Sequence, residues 1–236
     1  MVSYSKLYVT PDEVRVYLGV DEDKYPDELL VNLIWEKMDY VDHITNTTWN
    51  GRLKRVREMH DITRYKGGWL WGAGIPIHLG HPYVKKVEHL YVQWASKNED
   101  WVRTRNEGRN FGSYWLDYQT GILYIQTWAL YQGGKEIKIQ YVYGREDLPY
   151  EIKELTKLLV VRDLIMNERR LFALAEGAQG VSWSEYVRYL DERIKMLSEQ
   201  YRALKPGYVV SYEMGELSDE EAEQVWNEWY SNEHAW

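Results

Sequence analysis

The stretch that decides the fold is LPYEIKELTKLLVVRDLIMNERR, residues 148–170. Pro149 suits the first turn of a helix, where its missing N–H costs nothing. Glu151 places negative charge near the positive end of that helix. The apolar residues that follow spread too widely for a surface helix. They are Ile152, Leu155, Leu158, Leu159, Val160, Val161, Leu164, Ile165 and Met166. The pattern predicts a central helix that is buried on more than one side.

Two helices are predicted before this stretch. The tetrapeptide TPDE at residues 10–13 is a capping box with proline at the first helical position, and Gly19 ends the short helix that it begins. Pro26 opens a longer helix to about Thr45. Its apolar stripe has helical spacing and consists of Leu30, Leu33, Ile34, Met38, Val41 and Ile44.

The period changes to that of β-strands between residues 52 and 144. Ile137, Ile139, Tyr141 and Tyr143 alternate with other residues as in a half-buried strand. The turn at residues 118–121 ends in glycine and predicts a tight hairpin. Further strands are predicted over Val84 to Trp94 and Arg55 to Tyr65. We expect five to seven strands, mostly antiparallel, in a small sheet or barrel.

A second long helix follows the central one. Ser182 and Glu185 form a capping box, and residues 205–207 (Lys-Pro-Gly) end the helix. Its apolar residues recur at alternating spacings of four and three, which is a heptad seam. The seam consists of Trp183, Val187, Leu190, Ile194, Leu197, Tyr201 and Leu204.

The chain closes with an acidic, aromatic tail. A strand-like segment is followed by a helix that Ser218 and Glu221 cap, and residues 215–236 hold seven Asp or Glu residues and no Lys or Arg. We expect the tail to dock on another subunit or partner through Tyr208, Val210, Tyr212, Val225, Trp226, Trp229 and Tyr230. Packing of the same face, which also includes Ala222, on the tail's own domain is the alternative.

These patterns predict an α+β protein: a small helical bundle with an inserted antiparallel β-sheet or barrel-like domain and a C-terminal extension. The expected boundaries are residues 1–51 and 146–205 for the two parts of the bundle. Residues 52–145 form the β insertion, and residues 206–236 form the docking tail.

Composition narrows the function classes. The formal net charge is −8, distributed as −6, +7 and −9 over residues 1–51, 52–145 and 146–236. An acidic chain is a poor candidate for sequence-independent DNA binding.

There is no cysteine, and neither a signal-peptide core nor an apolar run that could span a bilayer is visible, so we expect no membrane partner. Twelve Trp and 21 Tyr favour a protein interface. High Glu, Lys and Arg also fit a thermophilic source.

The sequence shows few residues that could carry catalytic chemistry. His78 and His81 lack an acidic third ligand, which argues against a metal site. The glycine-rich residues 67–74 lack the Gly-Lys-Ser/Thr of a phosphate loop and are better explained as a loop tipped by Trp69 and Trp71, which could anchor an interface. We expect no enzyme activity, no metal and no cofactor.

Three stretches together carry a family resemblance. They are VTPDEVRVYLG at residues 9–19, LDYQTGILY at residues 116–124, and the strand IQYVYG that runs into LPYEIK over residues 139–153. In their order and spacing, the chain resembles the head–tail connector (adaptor, or head-completion) proteins of tailed bacteriophages and related archaeal viruses. The likeness covers roughly residues 8–205.

The resemblance implies a structural role in the virion neck, between head and tail, for a protein made in the host cytoplasm. Connectors of this family form a homo-oligomeric ring, usually of twelve subunits, beneath the portal protein. The ring extends the DNA channel and is the platform for the next neck or tail-completion protein, and DNA passes through without specific binding. Two alternatives stay open: a tail-completion or stopper protein, and an aromatic-rich module that binds glycans.

Overall fold

The computed structural model describes residues 6–61, 75–93, 101–103, 114–125, 136–167, 183–202 and 210–233. The chain forms two compact units, each built from two separate segments. The helical unit comprises Met1–Thr45 and Glu146–Ala203, and the sheet unit comprises Asn46–Arg145 and Leu204–Trp236. The fold is α+β, as the sequence predicts, and the described strands do not close into a barrel.

The described helices of the helical unit are α1 (Pro11–Leu18), α2 (Asp27–Thr45), α3 (Tyr150–Asn167) and α4 (Trp183–Tyr201). The predicted capping box of α1 is confirmed, since the Thr10 hydroxyl accepts from the Glu13 N–H and the Glu13 carboxylate accepts from the Thr10 N–H. Gly19 ends α1 in the left-handed conformation, at φ 66°.

Helix α3 is the core of this unit, as its wide apolar band predicts. Seven of the nine apolar residues are buried, and the other two are the half-buried Leu159 and the exposed Met166. Ion pairs join α3 to each of the other three helices because its polar positions also face neighbours. They are Lys153–Glu13 to α1, Lys37–Asp163 to α2, and Arg193–Glu154 and Arg162–Asp191 to α4.

The sheet unit has two antiparallel sheets. A five-stranded sheet has the order β4-β3-β7-β1-β8, and a three-stranded sheet has the order β2-β6-β5. The strands are β1 (Lys54–Asp61), β2 (Ile75–His78), β3 (Val84–Gln93), β4 (Trp101–Arg103), β5 (Tyr114–Asp117), β6 (Ile122–Ile125), β7 (Glu136–Tyr143) and β8 (Val210–Glu216). The predicted hairpin is confirmed, with Gly121 at φ 69° between β5 and β6.

One hydrophobic core is shared by the two sheets. The alternation of β7 sends Ile137, Ile139, Tyr141 and Tyr143 into it, where Leu123 of β6 is also buried. The residues between them in β7 belong to the opposite face of the five-stranded sheet. That second face bears the candidate site described below, together with a fifth helix, α5 (Asp219–Glu233).

Gly144, which follows β7, generates a stability prediction. Its φ is +149°, and a Cβ there would lie 2.3 Å from the Arg52 carbonyl oxygen. Gly51 also has positive φ, +73°, but a Cβ there would meet nothing within 4 Å. We expect Gly144→Ala to lower the free energy of unfolding by more than about 3 kcal/mol, and Gly51→Ala by only about 1 kcal/mol. Urea unfolding measures the free energy of unfolding of both variants. Equal losses would show that the close approach to Arg52 adds no cost at Gly144.

Candidate functional site

The tail forms one edge of the five-stranded sheet. Strand β8 pairs antiparallel with β1, placing Val210 opposite Met59 and Tyr212 opposite Arg57. A strand in this segment is thus confirmed, but its partner is the chain's own β1. Of the two alternatives that the sequence left open, packing on its own domain is the one seen.

A buried arginine holds the end of β8. Arg52 is 1% exposed, and its Nε and Nη2 donate to the two carboxylate oxygens of Glu216 at 3.1 and 2.8 Å. Such two-point pairs fix geometry as well as charge. Because a buried guanidinium without a partner is costly, this ion pair ties the tail to the segment before β1.

Helix α5 begins at the predicted capping box, which the structure confirms. The Glu221 N–H donates to the Ser218 hydroxyl, and the Ser218 N–H donates to the Glu221 carboxylate at 3.1 Å. The Ser218 hydrogen bonds lower the pKa of Glu221, since they favour the ionised carboxylate. The tail helix is therefore fixed from its first turn.

The apolar side of α5 packs on the second face of the sheet. Ala222 and Val225 are buried in a cluster with Leu53, Val142 and Leu217, and Trp226 packs against that cluster. The Trp226 indole N–H also donates to the Gly51 carbonyl at 3.3 Å. The stripe that the sequence assigned to a partner thus fills a core within this chain.

Lysines of β3 hold the far end of α5. The Lys85 ammonium lies 4.7 Å from the Trp226 ring centroid and 4.2 Å from that of Trp229. Lys86 pairs with Glu228 at 2.5 Å. Cation–π contacts and ion pairs thus add to the apolar packing of the helix.

These contacts determine which tail residues a partner could reach. Val225 is 6% exposed and is closed to a partner in this conformation, whereas Tyr230 is 38% exposed and stacks at 6.1 Å on Trp226. Tyr208 and the loop residues Trp69 and Trp71 lie outside the described residues.

The predicted seam of α4 faces the chain's own α3. Leu190 and Leu197 are buried, while Val187, Ile194 and Tyr201 are half-buried. Two further contacts fix this packing: the Tyr201 hydroxyl donates to Glu151 at 3.3 Å, and Arg193 pairs with Glu154. Trp183 is the first residue of α4, whereas Leu204 lies outside the described residues.

The sequence reasoning missed a buried polar cluster in the sheet unit. Glu58 is completely buried, and its carboxylate accepts from the Tyr141 hydroxyl at 2.5 Å and from the Gly80 N–H at 3.0 Å. It also lies 2.9 Å from the Nε2 of His60 and 3.3 Å from the Nδ1 of His81. A signal was present, because Glu58 and His60 share the inward parity of Val56 in β1.

The cluster keeps Glu58 ionised. Burial alone raises the pKa of its carboxyl, but hydrogen bonds with His60, His81 and Tyr141 outweigh burial and bring the pKa to about 2. Burial, and then the charge of Glu58, raise the pKa of the Tyr141 hydroxyl well above its ordinary value. The group thus has the features of a structural buried network, in which each member satisfies another.

Two absences hold for the residues that the structure describes. No three or more His, Cys, Asp or Glu side chains are grouped so that they could hold a metal ion. Nor does any helix there have the length and apolarity to cross a membrane.

Comparisons with known proteins give only distant similarities. No family model matches the chain, and no curated protein does. Among solved structures, the chain is similar to one from the neck of an empty GTA particle computed with C6 symmetry, at 18% identity and a TM-score of 0.46, covering 87% of this chain and 95% of the other. It is also similar to one from the neck of a native GTA particle computed with C12 symmetry, at 15% identity and a TM-score of 0.42, covering 87% and 94%.

Glu58 should make stability depend on acid pH. Because its folded-state pKa of about 2 lies below the ordinary 4.5, its contribution is complete above pH 4.5 and is lost as the pH falls through 2. We expect Glu58→Gln to cost roughly 3 kcal/mol at pH 7 and to remove this part of the pH dependence. Urea unfolding between pH 7 and 2 measures it, with the exposed Glu220→Gln as control. An unchanged pH dependence in Glu58→Gln would contradict the assignment.

Glu216 should stabilise the tail through Arg52. We expect Glu216→Gln to lower the free energy of unfolding by about 2 kcal/mol, because the buried Arg52 guanidinium loses its charged partner. The loss is not larger, because the Glu216 carboxylate is partly exposed and solvent weakens the ion pair. Glu213→Gln, on the exposed part of β8, is the matched control and should change little. Equal effects of the two substitutions on thermal unfolding would show that the ion pair with Arg52 does not stabilise the tail.

Proposed function

We propose that this chain is a head–tail connector subunit, a structural protein that assembles into a ring beneath the portal of a tailed virus. In this role it extends the DNA channel and is the platform for the next neck or tail protein. The observation that carries the proposal is the assembly of one helical unit from the two chain segments that flank a β insertion.

The three stretches of family resemblance all have architectural positions. Residues 9–19 cap and form α1, and residues 116–124 form the β5–β6 hairpin. Residues 139–153 run from β7 through Gly144 into α3. Each stretch thus sets a cap, a turn or a junction between the two units.

The helical unit carries an exposed aromatic surface that suits contact between neighbouring ring subunits. Tyr17 of α1 lies close to Tyr186 of α4. Tyr150 is 68% exposed and Tyr189 is 59% exposed, and both lie near Arg193. Exposed tyrosines are typical of interfaces because they bury a large area and keep a hydroxyl for hydrogen bonding. We name Tyr17, Tyr150, Tyr186 and Tyr189 the tyrosine surface and assign the lateral ring contact to it.

The tail contributes differently from what the sequence predicts. Since β8 and α5 complete the sheet unit, deleting them would expose Leu53 and Val142 and leave Arg52 without Glu216. An experiment on a truncated chain could therefore not distinguish a loss of docking from a loss of folding. The portal contact is assigned to the side of the tail that stays exposed, which includes Tyr230.

Substitutions on the tyrosine surface test the ring. We expect Tyr189→Ser to prevent ring formation and leave stability unchanged, because the side chain is largely exposed. Tyr40→Ser, on α2 and 49% exposed, is the matched control and should assemble normally. Light scattering with negative-stain imaging, with and without the candidate portal protein, measures assembly.

The possible outcomes test the lateral contact and the connector role separately. Rings formed equally by the wild type and by Tyr189→Ser would move the lateral contact elsewhere and keep the connector role. A full-length chain that stays monomeric and does not bind the portal would refute the connector role itself.

A further inference from the structure

The second face of the five-stranded sheet is divided into two halves. Helix α5 covers the half around Val142, whereas Gln140 and Lys138, earlier in β7, line an open cavity of about 470 Å³. The cavity lining is completed by Arg57 of β1, His89 and Tyr91 of β3 and Met214 of β8. We name it the basic sheet cavity.

Its lining is positively charged. Arg57 and Lys138 line it, and no acidic side chain does. The Arg57 guanidinium donates to the Gln140 amide oxygen at 2.9 Å, so its described partner is neutral. The nearby Glu88 already accepts from Gln140 and from Arg55, at 2.7 and 2.9 Å. Arg57 therefore favours a carboxylate brought into the cavity from outside.

His89 gives an independent sign of an unfilled position. Its Nδ1 is shielded from solvent and has no hydrogen-bond partner among the described residues. Buried polar atoms in native proteins are nearly always paired, so an orphaned ring nitrogen at a cavity indicates a missing partner.

A matching surface lies on α5 of the same chain. This helix has six acidic and no basic residues, and its side away from the sheet presents Glu220, Glu223, Gln224 and Asn227. Glu220 and Glu223 are exposed, and neither has an ion-pair partner within the described chain. Residues three apart are neighbours on a helix surface, so the two carboxylates act together. We name this surface the acidic side of α5.

We propose that a second copy of this chain occupies the basic sheet cavity, with Glu220 and Glu223 of each copy set against Arg57 and Lys138 of the other. Both surfaces lie on the same side of the sheet, so a copy that places its α5 in the cavity of its partner also receives the partner's α5. The contact is reciprocal and two-fold, as in most homodimers. It is a property of the free protein and does not depend on the connector role.

Sedimentation velocity on the full chain tests the pair. The wild type is expected to dimerise at about 0.02 M salt and to dissociate at about 1 M, where screening acts over about 3 Å. Glu220→Lys/Glu223→Lys, and separately Arg57→Glu/Lys138→Glu, are each expected to weaken dimerisation at least about tenfold, because both reciprocal contacts become repulsive. Glu199→Lys, on the exposed side of α4, should leave it unchanged.

Mixing the two charge-reversed variants is the decisive experiment. In a mixed pair, reversed α5 meets reversed cavity and native α5 meets native cavity, so both contacts are attractive again. We expect dimers in the mixture that neither variant forms alone, which also shows that both variants are folded. A wild type that is monomeric at low salt, a variant that still dimerises, or a mixture that does not would each overturn the proposal. Rings on the portal, tested through Tyr189, are a separate readout.

Discussion

The pairing of β1 on both of its edges is the interaction on which the sheet unit depends. It bonds to β7 on one side and to β8 on the other, joining segments of the chain that are more than sixty residues apart in sequence. Its inward face carries the buried Glu58, whose partners come from β1, β7 and the turn before β3. A one-residue slip of β1 would point Glu58 at solvent and Arg57 at the core. The buried charge thus specifies the register.

Local signals in the sequence were enough for most elements. Thr10 and Ser218 cap helices because each hydrogen-bonds with a glutamate three positions later in the chain. Gly121 closes a hairpin because its own backbone adopts a positive φ. Such interactions are decided within a few residues. The alternation of β7 likewise identified its inward side correctly.

Choices between distant partners could not be made from the pattern. The apolar face of α5 indicates that something covers it, but periodicity is the same whether that surface belongs to the chain or to a neighbour. In the structure the chain itself covers this face. Arg52 and Leu53, which contact the tail, lie more than 160 residues before it in the sequence. The cluster around Glu58 was missed for the same reason, because Tyr141 comes from the neighbouring strand β7 and His81 from the turn before β3, and both are distant from Glu58 in sequence.

The β insertion is closed at its base by the backbone itself. The Arg145 N–H donates to the Thr48 carbonyl at 2.8 Å, and the Gly51 N–H donates to the Arg145 carbonyl at 2.9 Å. During synthesis on the ribosome, α1 and α2 emerge about a hundred residues before α3, and β1 emerges long before β8. Neither unit can finish its core early, since each waits for a later segment. Translation therefore delays the sheet unit in particular: its core cannot be completed until residues 210–233 have been made.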